Sequence, residues 1–200
     1  MDKTHLLLAG TIMVEKFCHE NGVPVPGVKL HEPADWRFSV CAYYRSSTIH
    51  ICLPKCASIG TSGRQWSYPG YVVDRTPYGV LAHELGHHVD VLRGTDKKAY
   101  WSDFSAGMRR VSGEPATTGY APNDAEWFAE IFRLWTTNPD LLCRIRPRVA
   151  GELDKLYKSP ETRPWEEVLK DAPQRTVAAA ERKVSFGDPS YKMYHQMTLL

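Results

Sequence analysis

Apolar residues crowd the start of the chain. Leu6 to Val14 reads LLLAGTIMV behind Lys3. Asp2 lies ahead of this run, and Glu15-Lys16-Phe17 stands where a small-x-small cleavage site would follow. The run is therefore read as an amphipathic first helix reaching about Asn21-Gly22, not as a secretion signal. Val23-Pro24-Val25-Pro26-Gly27 breaks the pattern as a turn-rich segment. Beyond it, Trp36–Tyr44 and Thr48–Leu53 are rich in β-branched and aromatic residues. Ile49, Ile51 and Leu53 alternate with His50 and Cys52, which predicts a half-buried strand. Arg45-Ser46-Ser47 between the two runs reads as the turn of a hairpin.

Pro54 to Thr76 is dense in Gly, Ser, Pro and aromatic residues and reads as a long loop carrying Trp66, Tyr68 and Tyr71. It could cover a cleft or simply pack. A helix follows, with Thr76 at the N-cap, Pro77 in the first turn, Arg93 in the last and Gly94 as the stop. Further helices are expected from Trp101 to about Val111 and from Asn123 through Trp135 to Asn138-Pro139. The apolar members of the latter, Trp127, Phe128, Ile131, Phe132 and Trp135, are expected in the core. From Asp140 the chain reads as helices broken at Pro147, Pro160, Pro164 and Pro173, with a good helix former over 175–183 and a tail over 187–200.

Composition narrows the class. The chain has 200 residues, 42% of them hydrophobic and 24% charged, with a formal net charge of +2. This suits one globular domain and excludes disordered, collagenous and coiled-coil readings. A field so weak calls for neither nucleic acid nor an anionic membrane. Arg144, Arg146 and Arg148 read as a solvated basic face rather than a nucleic-acid patch. No apolar run is long enough to span a bilayer, so a cytoplasmic location is expected. The five cysteines are Cys18, Cys41, Cys52, Cys56 and Cys143. Their odd number argues against a disulfide framework and for reduced thiols. Cys52-Leu-Pro-Lys-Cys56 has no second cysteine pair to complete a metal knuckle.

The chemistry lies in His83-Glu84-Leu85-Gly86-His87. Two histidines four residues apart on a helix project about 40° from each other. Both rings can reach one Zn2+ ion, while Glu84 can touch a water at the metal without binding it. Gly86 leaves room for another backbone to approach. His88 points away by about 100° and is read as structural or surface. A catalytic zinc needs a third protein ligand. The extended HExxHxxGxxH pattern fails, because Asp90 and Arg93 stand at its Gly and His positions. Gly94-Thr95-Asp96 follows His87 too closely for an aspartate ligand.

Glu126 and Glu130 share a helix face downstream. One division of labour makes Glu126 the third ligand and Glu130 the carboxylate orienting a ligand histidine. The reverse satisfies the same spacing. Asn123-x-x-Glu126 is also a capping pattern, which would leave Glu126 as a cap alone. Asp90, three residues after His87, reads equally as an orienting carboxylate or a solvated one.

HELGHHVD (His83–Asp90), followed by Tyr120 and EWFAEIFRL (Glu126–Leu134), resembles the catalytic domain of anthrax lethal factor and its relatives. These are zinc metallopeptidases of the glutamate-ligand zincin (gluzincin) group. The resemblance implies a zincin-like α+β fold: a small, mostly antiparallel sheet packed on an active-site helix, with a helical C-terminal part. Residues 1–139 would form the catalytic core and 140–200 a helical extension packed on it as one domain. It further implies one Zn2+ held by His83, His87 and Glu126, with Glu84 as general base and Tyr120 as transition-state stabiliser. This chain has one residue fewer between Tyr120 and Glu126 than the family pattern. The implied activity is a zinc metalloendopeptidase hydrolysing peptide bonds by a zinc-activated water. Its partner would be a peptide or protein substrate, laid along an exposed strand edge at Thr48–Leu53. The alternatives are an inactive zincin-like binding module and a zinc protease recruited to nucleic acid.

Overall fold

The computed structural model describes residues 3–58, 67–68, 71–98 and 100–158. The helix expected over 175–183, the breaks at Pro160, Pro164 and Pro173, and Trp66 lie outside them. The architecture is α+β, mostly helical with a small sheet. No helix among the described residues is long and apolar enough to cross a membrane.

Helix α1 spans Lys3–Asn21. It is not amphipathic: Leu6, Leu7, Leu8, Ala9, Met13, Val14, Phe17 and Cys18 are all buried. Successive residues turn by about 100°, so three consecutive leucines cover most of the circumference. A helix apolar on so many sides must be enclosed. Helix α2, Pro77–Arg93, packs against α1 on one side and against α4, Asp124–Thr137, on another. A glycine sits at each crossing. A Cβ on Gly10 would lie 2.7 Å from Leu81 Cδ1 and 3.2 Å from Tyr78 Cα. A Cβ on Gly86 would lie 2.9 Å from Ala129 Cα and 3.0 Å from Phe132 Cβ. Gly86 therefore lets the α4 backbone approach the helix that carries both histidines.

The main sheet has the order β1-β3-β2, from Gly27–Leu30, Thr48–Ile51 and Ala42–Arg45. The β2–β3 hairpin forms where the sequence places it. Ser46 (φ 50°) and Ser47 (φ 57°) both adopt the left-handed conformation that a tight two-residue turn requires. Strand β1 corrects the expectation of a mostly antiparallel sheet, because it pairs in parallel with β3, Gly27 opposite Thr48 and Leu30 opposite Ile51. Four residues after a proline-rich turn are too few to show a periodicity. This pairing also overturns the substrate edge expected at Thr48–Leu53. Strand β3 is central, bonded on both sides, and among the described residues the free edges belong to β1 and β2.

Ile49 and Ile51 point into the core, and His50 faces the other way, stacked on Tyr43 at 4.6 Å between ring centroids. Trp36 does not extend β2. It folds back over Tyr43 and donates from Nε1 to the Val40 carbonyl at 2.7 Å. Pro54 ends β3 in a short 3-10 turn at Leu53–Lys55. Within the long loop, β4 (Ser67–Tyr68) pairs with β5 (Tyr71–Val72).

After α2, strands β6 (Lys97–Lys98) and β7 (Trp101–Ser102) form a small hairpin before α3, Asp103–Ser112. Trp101 thus belongs to a strand, and Ser102 caps α3 by accepting from Ser105 N at 3.3 Å. Helices α5 (Pro139–Ile145) and α6 (Pro147–Leu156) follow α4. Leu142, Val149, Ala150, Leu153 and Tyr157 join the same hydrophobic cluster as Phe17, Phe132 and Trp135. Arg146 and Arg148 are engaged with backbone. Arg146 donates to the carbonyls of Pro115 (2.6 Å) and Ala116 (2.7 Å), and Arg148 to that of Ser112 (3.4 Å). The cysteines carry free thiols.

Candidate metal centre

The buried helix α2 presents His83 and His87 on one face, and α4 presents Glu126 opposite them. Glu126 Oε2 lies 3.2 Å from His83 Nε2 and 3.6 Å from His87 Nε2. Three donor atoms, one from each residue, all lie within 4.8 Å of one another. In a tetrahedral site with bonds of roughly 2.0–2.1 Å, neighbouring ligand atoms stand about 3.3–3.4 Å apart. The two carboxylate–imidazole separations, 3.2 and 3.6 Å, lie close to this spacing. Two imidazoles and a carboxylate are also a donor set of catalytic zinc sites. No hydrogen bond of regular geometry satisfies Glu126 Oε2, although it is buried. A cation among these three atoms would remove that deficit.

The question left open by the capping pattern is answered by the division between backbone and side chain. Asn123 Oδ1 accepts from Glu126 N at 2.9 Å, which caps α4. Glu126 contributes only its backbone to the cap, and its carboxylate faces the histidines.

Glu130, one turn along α4, is fully buried, and its Oε1 lies 2.8 Å from His83 Nδ1. Two residues that the sequence reading missed hold it there. Arg133 forms a buried ion pair with both carboxylate oxygens. Thr118 Oγ1 donates to Oε2 at 2.9 Å. Thr118 Oγ1 also accepts from Tyr120 N at 3.2 Å, which ties the Tyr120 backbone to the same cluster. Arg133 was legible as an i,i+3 partner of Glu130. Thr118 lies in an aperiodic loop and gives no sequence signal.

Electrostatics follow from burial and charge. Burial alone would push His83 down, but Glu126 and Glu130 outweigh it and raise it to about 9 in the metal-free protein. Burial opposes ionisation of Glu126, yet the imidazoles of His83 and His87 close beside it hold its carboxyl well below the usual range. Arg133 and His83 overcome the same penalty at Glu130 and hold it below the usual range. Glu84 is raised by burial, and its Oε2 has no hydrogen-bond partner among the described residues. Tyr120 is pushed up to about 12 by burial and by the Glu126, Glu84 and Glu130 charges, so its hydroxyl stays protonated. Its ring centroid lies 6.4 Å from that of His83.

Asp90 is buried, and its Oδ1 accepts from Ser102 Oγ and, at 3.0 Å, from Ser105 N. It anchors the start of α3, and no hydrogen bond to His87 occurs among the described contacts. His88 is buried and structural. One ring nitrogen lies 2.7 Å from the Pro24 carbonyl and the other 2.9 Å from Tyr44 Oη, so it joins α2 to β2 and to the turn before β1.

The centre lies on a cleft with two arms. One, about 560 Å³, runs past Tyr44, Arg45, Asp90 and Tyr100 on the side of His87 and Glu126. The other, about 310 Å³, runs past Cys41, Lys55, Arg75 and Arg133. Val40, Ala42, His83, Glu84 and Tyr120 line both. No protein-family model, curated protein or solved structure matches the chain.

Proposed function

We propose that this chain is a zinc-dependent metalloendopeptidase with a zincin-like fold. The observation that carries the reading is the convergence of His83, His87 and Glu126 around one point, beside a buried Glu84 oxygen without a partner. A Zn2+ ion held by these three residues would supply Lewis acidity that polarises a carbonyl and acidifies water toward neutrality.

The protein's own groups do the rest. Glu84 takes a proton from the attacking water and returns it to the leaving amine. Burial raises its proton affinity, which suits a group that must both accept and release. Tyr120 lines both arms of the cleft, and its protonated hydroxyl donates to the oxyanion that develops on the scissile carbonyl. Glu130, pinned by Arg133 and Thr118, fixes the ring plane of His83. The substrate backbone extends along the free edge of β2, which borders the cleft through Ala42, Tyr43, Tyr44 and Arg45.

Two variants test this reading. Purified protein is expected to hold one zinc ion, and Glu126→Ala to lose it. Full stoichiometric zinc in Glu126→Ala would remove Glu126 from the ligand set. Glu84→Gln is expected to keep zinc and to lose peptide hydrolysis by at least about 10²-fold. Equal hydrolysis by wild type and Glu84→Gln would eliminate the general base.

A further inference from the structure

Three of the five cysteines meet at one end of the main sheet, beside the smaller arm of the cleft. Ala42 stands opposite Ile51 in the β2–β3 pair, and one position further Cys52 N donates to the Cys41 carbonyl at 2.8 Å. The turn at Leu53–Lys55 then brings Cys56 back, so that its Sγ lies 3.8 Å from the Cys52 carbonyl oxygen. There the Cys41 and Cys56 side chains hydrogen-bond to each other. The three thiols do not form a metal site: the one group of three possible ligands among the described residues is His83, His87 and Glu126.

Exposure divides the pair. Cys41 is partly exposed and lines the smaller arm together with His83 and Glu84, whereas Cys56 is buried. Both thiols stand on fixed backbone. Lys3 of α1 donates to the Pro54 and Cys56 carbonyls at 3.2 and 2.6 Å, which pins the turn that ends in Cys56. The hydrogen bond from Cys56 outweighs burial and holds the Cys41 thiol below its usual range, while Cys41 and burial push the Cys56 thiol up. The thiolate is the attacking species in thiol–disulfide exchange, so the exposed member of the pair is also the more reactive.

We infer that Cys41 and Cys56 are a reversible redox pair in the cleft wall, in which Cys41 meets a low-molecular-weight disulfide and Cys56 resolves the adduct. The Cys41 thiolate attacks one sulfur of oxidised glutathione, whose S–S bond breaks, and one glutathione thiolate leaves. That thiolate takes the Cys56 proton, and the Cys56 sulfur attacks Cys41. The second glutathione leaves as a thiolate and takes a proton from solvent. Two protein thiols are thus oxidised, and one external disulfide is reduced to two thiols. The two sulfurs need only close from hydrogen-bond contact to about 2.0 Å. A glutathionyl group left on Cys41 would occupy an arm of about 310 Å³ beside His83 and Glu84, and its removal by Cys56 keeps that arm open. The thiol chemistry stands apart from the peptidase reading, and only the guarding of the cleft rests on it.

Thiol state and hydrolysis are measured separately. The full chain is incubated with oxidised glutathione, its remaining thiols are alkylated, and its peptides are mapped by mass spectrometry. Wild type is expected to show Cys41 joined to Cys56, reopened by reduced glutathione, while the exposed Cys143 carries glutathione alone. Cys56→Ser and Cys56→Ala are each expected to accumulate glutathione on Cys41 instead. Wild type carries the primary result, so a variant that misfolds does not decide it. A lasting glutathione adduct on wild-type Cys41, a bridge from Cys41 to Cys52, or an unmodified Cys41 overturns the pair. Hydrolysis is then read on the same samples loaded with zinc. It is expected to persist in oxidised wild type and to be lost in oxidised Cys56→Ser until a reductant restores it. Hydrolysis undiminished by the adduct overturns the guarding role. Hydrolysis by no sample, reduced or oxidised, removes the peptidase reading and leaves the redox pair.

Discussion

Glu130 Oε1 stands 2.8 Å from His83 Nδ1, in the buried interface where α4 crosses α2 at Gly86. A carboxylate at that distance favours a proton on Nδ1, and under the proposed function it would strengthen Nε2 as a donor to a metal. Glu130→Gln keeps the shape but loses the charge. It is expected to weaken zinc binding by about 10–100-fold in a chelator competition titration. Thr118→Val removes one support of Glu130 and is expected to have a smaller effect in the same direction. Wild-type zinc affinity in Glu130→Gln would show that the carboxylate serves packing alone.

In the proposed function a metal would compete with a proton for His83. Its pKa in the metal-free protein is raised to about 9, so at pH 7 the ring carries a proton that a metal must displace. Zinc binding is expected to release about one proton from this site at pH 7, and apparent affinity to rise with pH until about pH 9. Calorimetry in buffers of different ionisation enthalpy counts the protons. The same shift affects stability without metal. A raised histidine pKa favours the folded state fully below the unfolded value near 6.5, and that contribution is lost as pH rises through 9. Urea midpoints of the metal-free protein should reflect this loss between pH 7 and 9.5, and His83→Asn should remove it.

His88 has the opposite sign. Burial lowers its pKa, and the Pro24 carbonyl opposes this only in part. Nε2 of the neutral ring donates to the Pro24 carbonyl and Nδ1 accepts from Tyr44, and protonation would place an unpaired positive charge in this buried position. Its contribution is complete above the unfolded pKa near 6.5 and is lost as pH falls below it. His88→Gln is expected to be less stable than wild type at pH 8 and to lose less stability between pH 7 and 5. An unchanged acid profile in chemical denaturation would show that His88 does not titrate with unfolding.

The crossing at Gly86 leaves no room for a side chain. Gly86→Ala puts a methyl group 2.9 Å from the Ala129 backbone, and α4 must move. A cost of about 1–3 kcal/mol in thermal or denaturant unfolding is expected. Because α4 carries Glu126, zinc affinity should fall with it. A variant of unchanged stability would mean that α4 shifts freely.

Much of the helical framework was legible in the sequence because its signals are local. Thr76-Pro77 opens α2, Asn123 caps α4, and the two-serine turn joins β2 to β3, all within a few residues of one another. HExxH is legible for the same reason, since helical geometry alone sets the angle between two rings one turn apart. Glu126 was read as the third ligand beside Glu130, with the reverse assignment and a capping role left open on spacing alone.

The tertiary structure decided what depends on elements far apart in the chain. The crossing of α2 and α4 chose Glu126 for the histidine cluster and Glu130 for His83, because only packing sets the distance between two helices. The parallel strand β1 made β3 central and moved the free edge to β2, which four residues without a pattern could not announce. Thr118, Lys55 and Arg75 joined the cleft from loops, where no periodicity exists to be read. The sequence by itself determined the chemical types available and the helix that presents two of them. Long-range packing determined which of these groups meet.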